Sequence, residues 1–538
     1  MKQQIYIPPN INLTGKLFDH QKRIVKEAFG QPRYIAAWDM GTGKTIFAIE
    51  RDLQYRVAGY VTKTLIIAPH ATHDSWRKTI HNGTPYKAYV VNRKGNYRKL
   101  FLRHLKDPRS EYTYFIINIE GIKTKDLKNL IPCKKRKCKQ ANKCTCKLKT
   151  YDYLLADPKL GISHLILDEC HSIKSRNIEN TLAVKKITND GKIKFVTDMS
   201  GSPVTNNPDD LWSILNHIKP VTYGRGGLSY WKFFDKYVDY TIGFDGYRKI
   251  KGPSEEWLTE GLLSIKPFYS RVLKSDVLDL PEILEENLYV DLYPKQRKLY
   301  DDMDSKMVAW IDNNKTGLSE PMISKAAMVQ MQRLQIFALG TPSFTGYKDP
   351  ENKKGLQYLL EDPSAKLDLV IQILEEYAPQ KFVIFSQFAK PIALLAKKLE
   401  ARKKIKNKRT IEYVEYSGNV PDKKKPWHKE QFITKPEIQA FIGTIGSAGT
   451  GMDGLQQVCS HMIFLDRAWG PTANEQAISR LHRQGQKNHI TLLNVIANDT
   501  IDEERIKGIQ SKYFEILKTV GDIDAEGNPI KLDERLMG

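Results

Sequence analysis

The residues with the clearest chemistry form the run Trp38-Asp39-Met40-Gly41-Thr42-Gly43-Lys44-Thr45. Glycines let backbone N–H groups wrap a polyphosphate, a lysine reaches its β/γ oxygens, and the following hydroxyl can ligate Mg²⁺. Gly41, Thr42, Gly43, Lys44 and Thr45 are therefore candidate nucleotide-binding residues, although Trp38 stands where this loop usually has its first glycine. Further on, Asp168-Glu169-Cys170-His171 follows the apolar run His164-Leu165-Ile166-Leu167. An Asp at a strand end can hold Mg²⁺ beside Thr45, and the adjacent Glu can deprotonate an attacking water. The third part is Ser479-Arg480-Leu481-His482-Arg483. On a helix, positions 480 and 483 share a face, so both guanidiniums could meet one γ-phosphate. Lys44, Asp168, Glu169, Arg480 and Arg483 thus form the candidate catalytic set, with ATP and Mg²⁺ as cofactors.

These parts need rigid elements to hold them. Short apolar runs at Tyr34–Trp38, Thr64–Ala68, Tyr114–Asn118, His164–Leu167 and Phe195–Ser200 read as buried strands. Amphipathic stretches at Lys44–Arg56, Thr72–Ile80 and Asp209–Ile218 read as the helices between them. The pattern returns in strands at Phe382–Phe385, Glu412–Tyr416, Ala440–Thr444, Met462–Leu465 and Thr491–Ala497, with helices at Pro391–Glu400, Ala473–Arg483 and Ile501–Val520. Apolar strands alternating with helices predict two parallel, doubly wound α/β lobes. The expected division is lobe 1 over 1–230, a largely helical bridge over 231–360, and lobe 2 over 361–538.

With the three parts in order, the chain resembles the superfamily-2 helicases, and more narrowly the Swi/Snf-type DNA translocase ATPases. Leu17-Phe18-Asp19-His20-Gln21 is similar to that family's adenine-reading segment, which implies that Gln21 bonds the base. Thr64-Leu65-Ile66-Ile67-Ala68-Pro69 with Trp76 resembles a motif that lies along DNA. Ser200-Gly201-Ser202 resembles the segment that couples hydrolysis to DNA contact, and Lys266-Pro267-Phe268 with Leu273-Lys274-Ser275-Asp276-Val277 resembles the inter-lobe bridge, which marks Lys274. Phe385-Ser386-Gln387-Phe388, the stretch from Ser447 to Gly451-Met452-Asp453, and the stretch from Gln476 to Gln486 complete the likeness. They mark Gly451, Asp453 and Gln476 as nucleotide-binding. The resemblance implies two RecA-like lobes and ATP-driven movement on DNA, double-stranded or branched. It also implies roles in replication, repair or recombination, while the arginine-finger role of Arg480 and Arg483 follows from their being the cation the constellation otherwise lacks. Cys170 replaces a small residue of the family pattern. Residue spacing alone leaves DNA against RNA open, and translocation against strand separation or the stripping of proteins from nucleic acid. A catalytically dead scaffold would lack Lys44, Glu169 or Arg483; all three are present.

Charge and composition agree with such a track. Lys plus Arg number 84 against 62 Asp plus Glu, a formal +22 that suits a polyanion through counterion release rather than base reading. With 41% hydrophobic and 27% charged residues the chain is globular, and no apolar run approaches the roughly 18 residues of a membrane span. The start lacks the apolar stretch of a secretory signal. The expectation is a soluble, non-secreted monomer in the cytoplasm of a bacterial cell or a phage-infected host. Cys133, Cys138, Cys144 and Cys146 sit in an insert, 131–150, with eight basic residues and no acid. Four thiolates in a short loop can enclose Zn²⁺ tetrahedrally. A basic loop with free thiols and an iron–sulfur cluster are the other readings, and Lys134-Lys135-Arg136-Lys137 also mimics a nuclear localisation run.

Overall fold

The structure, a computed structural model, describes residues 14–91, 95–123, 125–130, 148–243, 246–312, 319–323, 327–349, 354–421, 423–448 and 452–531. The chain divides into two compact units. Residues up to Leu278 together with those from Tyr513 onward make the first, and Asp279–Lys512 the second.

Seven strands form the sheet of unit 1: β1 (Arg33–Trp38), β2 (Lys63–Ile67), β3 (Lys87–Val90), β4 (Tyr112–Ile117), β5 (Ile162–Asp168), β6 (Phe195–Met199) and β7 (Tyr269–Val272). Their spatial order is β7-β1-β6-β5-β2-β4-β3 and every pairing is parallel. An all-parallel sheet is covered on both faces, which explains why Ala36, Leu65, Phe115, Ile166 and Val196 are all fully buried rather than alternating. Helices α1 (Asp19–Ala28), α2 (Lys44–Val57), α3 (His73–Gly83) and α4 (Asp210–Ile218) supply apolar faces to that core, with Ile24, Phe47, Trp76 and Leu211 among the buried residues.

Unit 2 repeats the plan with β8 (Ile283–Val290), β9 (Phe382–Ser386), β10 (Glu412–Tyr416), β11 (Ile438–Thr444), β12 (His461–Phe464) and β13 (Ile490–Ala497). The order is β8-β13-β12-β9-β11-β10, again parallel throughout. Two apolar clusters fill this unit, one around Leu367, Ile384 and Leu395, the other around Phe385, Phe441 and Met462. The expected α/β class with two parallel-sheet lobes is what the chain adopts.

Segment 231–360 is helical only in part. It gives one edge strand to each sheet, β7 and β8, and carries three antiparallel hairpins: Val238–Ile242 with Arg248–Pro253, Val308–Asp312 with Ser319–Ile323, and Thr341–Asp349 with Lys354–Glu361, whose last residue falls just beyond it. Those hairpin strands read as irregular in sequence because Gly, Pro and Lys interrupt their alternation. Another antiparallel pair, Lys125–Leu130 with Leu148–Thr150, flanks the cysteine insert. Cys133, Cys138, Cys144 and Cys146 themselves lie outside the described residues, as does Gly451.

Candidate functional site

In a doubly wound sheet, ligands bind beyond the carboxyl ends of the strands where the strand order reverses. In unit 1, β7, β1, β6 and β5 are consecutive neighbours, with Val272 beside Trp38, Ala36 beside Met199, and Met199 beside Asp168. Their carboxyl ends lead into Lys274, the glycine loop, Ser200-Gly201-Ser202 and Asp168-Glu169. Residues up to 235 positions apart in sequence are thereby gathered along one sheet edge.

The glycine loop turns through Gly41 and Gly43, both at φ +88°, where a Cβ would be strained. Gly43 is also the N-cap of α2, so its neighbours' N–H groups and the positive end of the helix dipole face the loop. A Cβ on Gly43 would collide with Gln21 Nε2. Gln21 is fully buried and its amide is spent on the protein. Its Oε1 accepts from Phe18 N (2.9 Å), and its Nε2 donates to Thr42 O (3.2 Å) and Gly43 O (3.1 Å). The residue expected to bond a base braces the loop that would hold the phosphates. Lys44 Nζ donates to Trp38 O (2.8 Å) and Asp39 O (3.1 Å). Burial pushes its ammonium pKa down, against the pull of Glu169, Asp168 and Asp39.

Asp168 ends β5, and burial pushes its carboxyl up to about 6, helped by the adjacent Glu169. Its Oδ2 accepts from the indole Nε1 of Trp76 at 3.0 Å. Trp76, which the family likeness set along DNA, is only 1% exposed and points inward at this carboxylate. Glu169 sits at φ +56°, ψ +58°, a left-handed conformation that costs a non-glycine residue roughly 1–2 kcal/mol. Backbone strain of this kind, held by surrounding structure, gathers where a side chain must be aimed. His171 Nδ1 lies 3.2 Å from Glu169 Oε2, and Ser200 Oγ donates to the same oxygen at 3.4 Å. Ser200 is fully buried and also accepts from Ser202 N (3.1 Å), so the Ser200–Ser202 loop is tied to the candidate base.

Two residues join this site without a signal in the sequence. Arg271, on β7, donates through Nη1 to Ala37 O (2.9 Å) and Gly201 O (3.1 Å), and pairs through Nη2 with Asp39 (3.0 Å). Asp522 accepts from its Nε and Nη2, both at 2.8 Å. Burial works against the charge of Arg271, and the carboxylates of Asp522 and Asp39 overcome it, raising its pKa well above the usual value. Lys274 contributes its backbone: its N–H donates to Asp39 Oδ2 at 3.1 Å.

Unit 2 holds the remaining candidates. The helix Pro471–Ile478 carries Gln476 and stops before the arginines, so Arg480 and Arg483 do not share a helical face. Tightened turns follow, with Arg480 N donating to Ala477 O and Leu481 N to Ile478 O. Both guanidiniums nevertheless converge, on Asp453: Arg483 Nη1 donates to its Oδ1 and Arg480 Nη1 lies 3.9 Å away. Burial tends to raise the Asp453 carboxyl, and the two arginines hold it below its usual range.

The candidate Mg²⁺ ligands Asp168 and Thr45 offer a carboxylate and a hydroxyl, the hard-oxygen donor types that Mg²⁺ takes alongside substrate phosphates and water. Among the described residues no group of three or more His, Cys, Asp or Glu side chains is gathered as a metal site, and none of the helices there is long and apolar enough to cross a membrane.

Comparison with known proteins places these features in a family context. The SNF2-related domain family matches residues 24–336, and the helicase conserved C-terminal domain matches 365–485. Human DNA excision repair protein ERCC-6 is 24% identical over 91% of this chain and 31% of its own length. An uncharacterized ATP-dependent helicase of Mycoplasma genitalium is 23% identical over 96% of this chain and 43% of its own. The chain thus spans between 31% and 43% of the length of these relatives. Among solved structures, the Sulfolobus solfataricus SWI2/SNF2 ATPase core in complex with dsDNA is similar at 20% identity and a TM-score of 0.37, covering 96% of each chain.

Proposed function

The chain belongs to the SNF2-related family and carries a helicase conserved C-terminal domain, and from that premise we propose that it hydrolyses ATP to move along or remodel DNA. The observation that carries the proposal is the gathering of the glycine loop, Asp168-Glu169 and Ser200-Gly201-Ser202 on neighbouring strand ends of one sheet.

In this reading the backbone N–H groups of Gly41 to Lys44 cradle the triphosphate. Lys44 leaves the carbonyls of Trp38 and Asp39 to meet the β/γ oxygens. Thr45 and Asp168 would hold Mg²⁺, which would neutralise charge building on the phosphates. Glu169, kept at its strained backbone angle, orients the attacking water and takes its proton. Arg480 and Arg483, whose guanidiniums both lie on Asp453, are the candidate cations for the charge on the transferring phosphate. The contact of Ser200 with Glu169 gives the Ser200–Ser202 loop a route by which nucleic-acid contact alters the base.

The proposed track is double-stranded or branched DNA, contacted through its backbone without base reading. The formal charge of +22 supports a polyanion. A relative is named for DNA excision repair. ATPase rates measured with duplex, single-stranded and branched DNA and with RNA test the assignment, and stimulation by RNA alone would overturn it. Triplex displacement beside forked-duplex unwinding separates translocation from strand separation. Metal analysis of the purified protein decides the cysteine insert: neither zinc nor iron removes both metal readings.

A further inference from the structure

The helix Ile501–Val520 ends in a way that delivers one carboxylate to unit 1. Gly521, at φ +79°, caps it: Gly521 N donates to Lys518 O (3.2 Å) and Asp522 N to Leu517 O (2.9 Å), the paired bonds of a Schellman turn. Two more terminal carbonyls are taken up by unit 1 side chains, Thr519 O by Trp257 Nε1 (2.8 Å) and Val520 O by Tyr269 OH (3.4 Å). Ile516 and Val520 join the apolar core of the unit. The turn therefore has little freedom, and Asp522 arrives 97% buried with both oxygens on the Arg271 guanidinium.

Arg271 touches three things besides Asp522. They are the carboxylate of Asp39 at the mouth of the glycine loop, the carbonyl of Ala37 on β1, and the carbonyl of Gly201 between Ser200 and Ser202. A guanidinium has five donors in a fixed plane, so pinning Nε and Nη2 on one carboxylate sets where Nη1 points. The glycine loop has independent supports in β1, α2 and Gln21. Gly201 O has the Arg271 bond, and its neighbour Ser200 is what contacts Glu169.

We propose that Asp522 is a positioning residue of the ATPase site, clamping Arg271 so that it holds the Ser200–Ser202 loop, and through it Glu169, in the hydrolytic arrangement. The segment beyond the last long helix is then part of the catalytic machinery of unit 1, acting through an arginine and touching no substrate. This rests on reading unit 1 as an ATPase site. Losing the clamp lets Arg271 turn toward Asp39 and leave Gly201, so turnover suffers while phosphate binding persists.

The test compares Asp522→Asn, Asp522→Glu and Arg271→Lys in the full chain, reading kcat and KM for ATP with saturating duplex DNA, nucleotide affinity by a fluorescent ATP analogue, and Tm. Asp522→Asn should lower kcat about 10- to 100-fold, the cost of a small misplacement at a distance. Nucleotide affinity should stay within about threefold, since the glycine loop keeps its own supports. Asp522→Glu, which keeps the charge, should recover most of the turnover, and Arg271→Lys, which cannot fork, should not. An unchanged kcat in Asp522→Asn overturns the proposal. So does an equal loss of kcat and Tm in Asp522→Asn and Asp522→Glu, which would mark a mere structural anchor. Wild-type protein that binds the analogue yet hydrolyses no ATP with any nucleic acid would instead remove the ATPase reading, and this proposal with it.

Discussion

Replacing Trp76 by Phe removes a single N–H from a buried carboxylate. Asp168 Oδ2 accepts from the indole at 3.0 Å, and Trp76 is 1% exposed, so bulk water cannot reach in freely to replace the donor. A hydrogen bond to a charged group contributes about 1.5–3 kcal/mol. At 1.4 kcal/mol per factor of ten, that is roughly 10- to 100-fold, the range seen when a group orienting a metal ligand is removed. The smaller ring also leaves a gap beside α3, costing stability on the order of 1–3 kcal/mol. The assay titrates Mg²⁺ at fixed ATP and follows hydrolysis, beside binding of a fluorescent ATP analogue in EDTA. Half-saturating Mg²⁺ should rise about tenfold or more, with metal-free nucleotide binding unchanged. A folded Trp76→Phe protein whose Mg²⁺ dependence matches wild type would refute the assignment, leaving Trp76 as packing alone.

Other consequences are as direct. Glu169→Gln should retain ATP binding and lose turnover by about 10²- to 10⁴-fold, and undiminished hydrolysis would take Glu169 out of the role of base. Gly43→Ala meets both a positive φ and Gln21 Nε2, so nucleotide affinity and Tm should fall together; an unperturbed affinity would show that the loop can move aside. His73 is buried with Nε2 3.1 Å from Ala68 O, and burial lowers its pKa to about 4. The unfolded chain, with an ordinary value near 6.5, binds the proton first, so stability is full above about 6.5 and is lost as pH falls toward about 4, by up to about 3 kcal/mol. Denaturant melts at pH 7 and pH 5 should differ less in His73→Gln than in wild type, and identical slopes would exclude His73 as a source.

Local pattern made the strands of both sheets readable where they are buried on both faces. Phe382–Ser386 holds the apolar run Phe382–Phe385, and Ile162–Asp168 holds Leu165–Leu167, each short and bounded as a buried strand is. The edge strands β7 and β8 carry no strand pattern in the sequence. Tyr269–Val272 is four residues long with an arginine inside it, and Ile283–Val290 carries Glu285 and Glu286 on an exposed edge. Ile283–Val290 is largely exposed and needs little apolar surface, whereas Tyr269–Val272 is buried but too short to show a period. Arg480 and Arg483 illustrate another limit. Their spacing suggests a helix, yet the helix ends at Ile478 and the side chains meet through turns and Asp453 instead.

The sequence by itself determined the candidate chemistry of the site, because a glycine loop with Lys44, a strand-end Asp-Glu and paired arginines are each written in a few adjacent residues. Tertiary structure alone decided how those parts are held. That Trp76 faces Asp168, that Gln21 braces the loop, and that Asp522 clamps Arg271 across 251 positions depends on which strands lie side by side and where one helix is capped. Hydrogen bonds between side chains so far apart in the chain leave no periodicity or spacing to read. They exist because parallel strands align their carboxyl ends, and burial then obliges each polar group delivered there to find a partner.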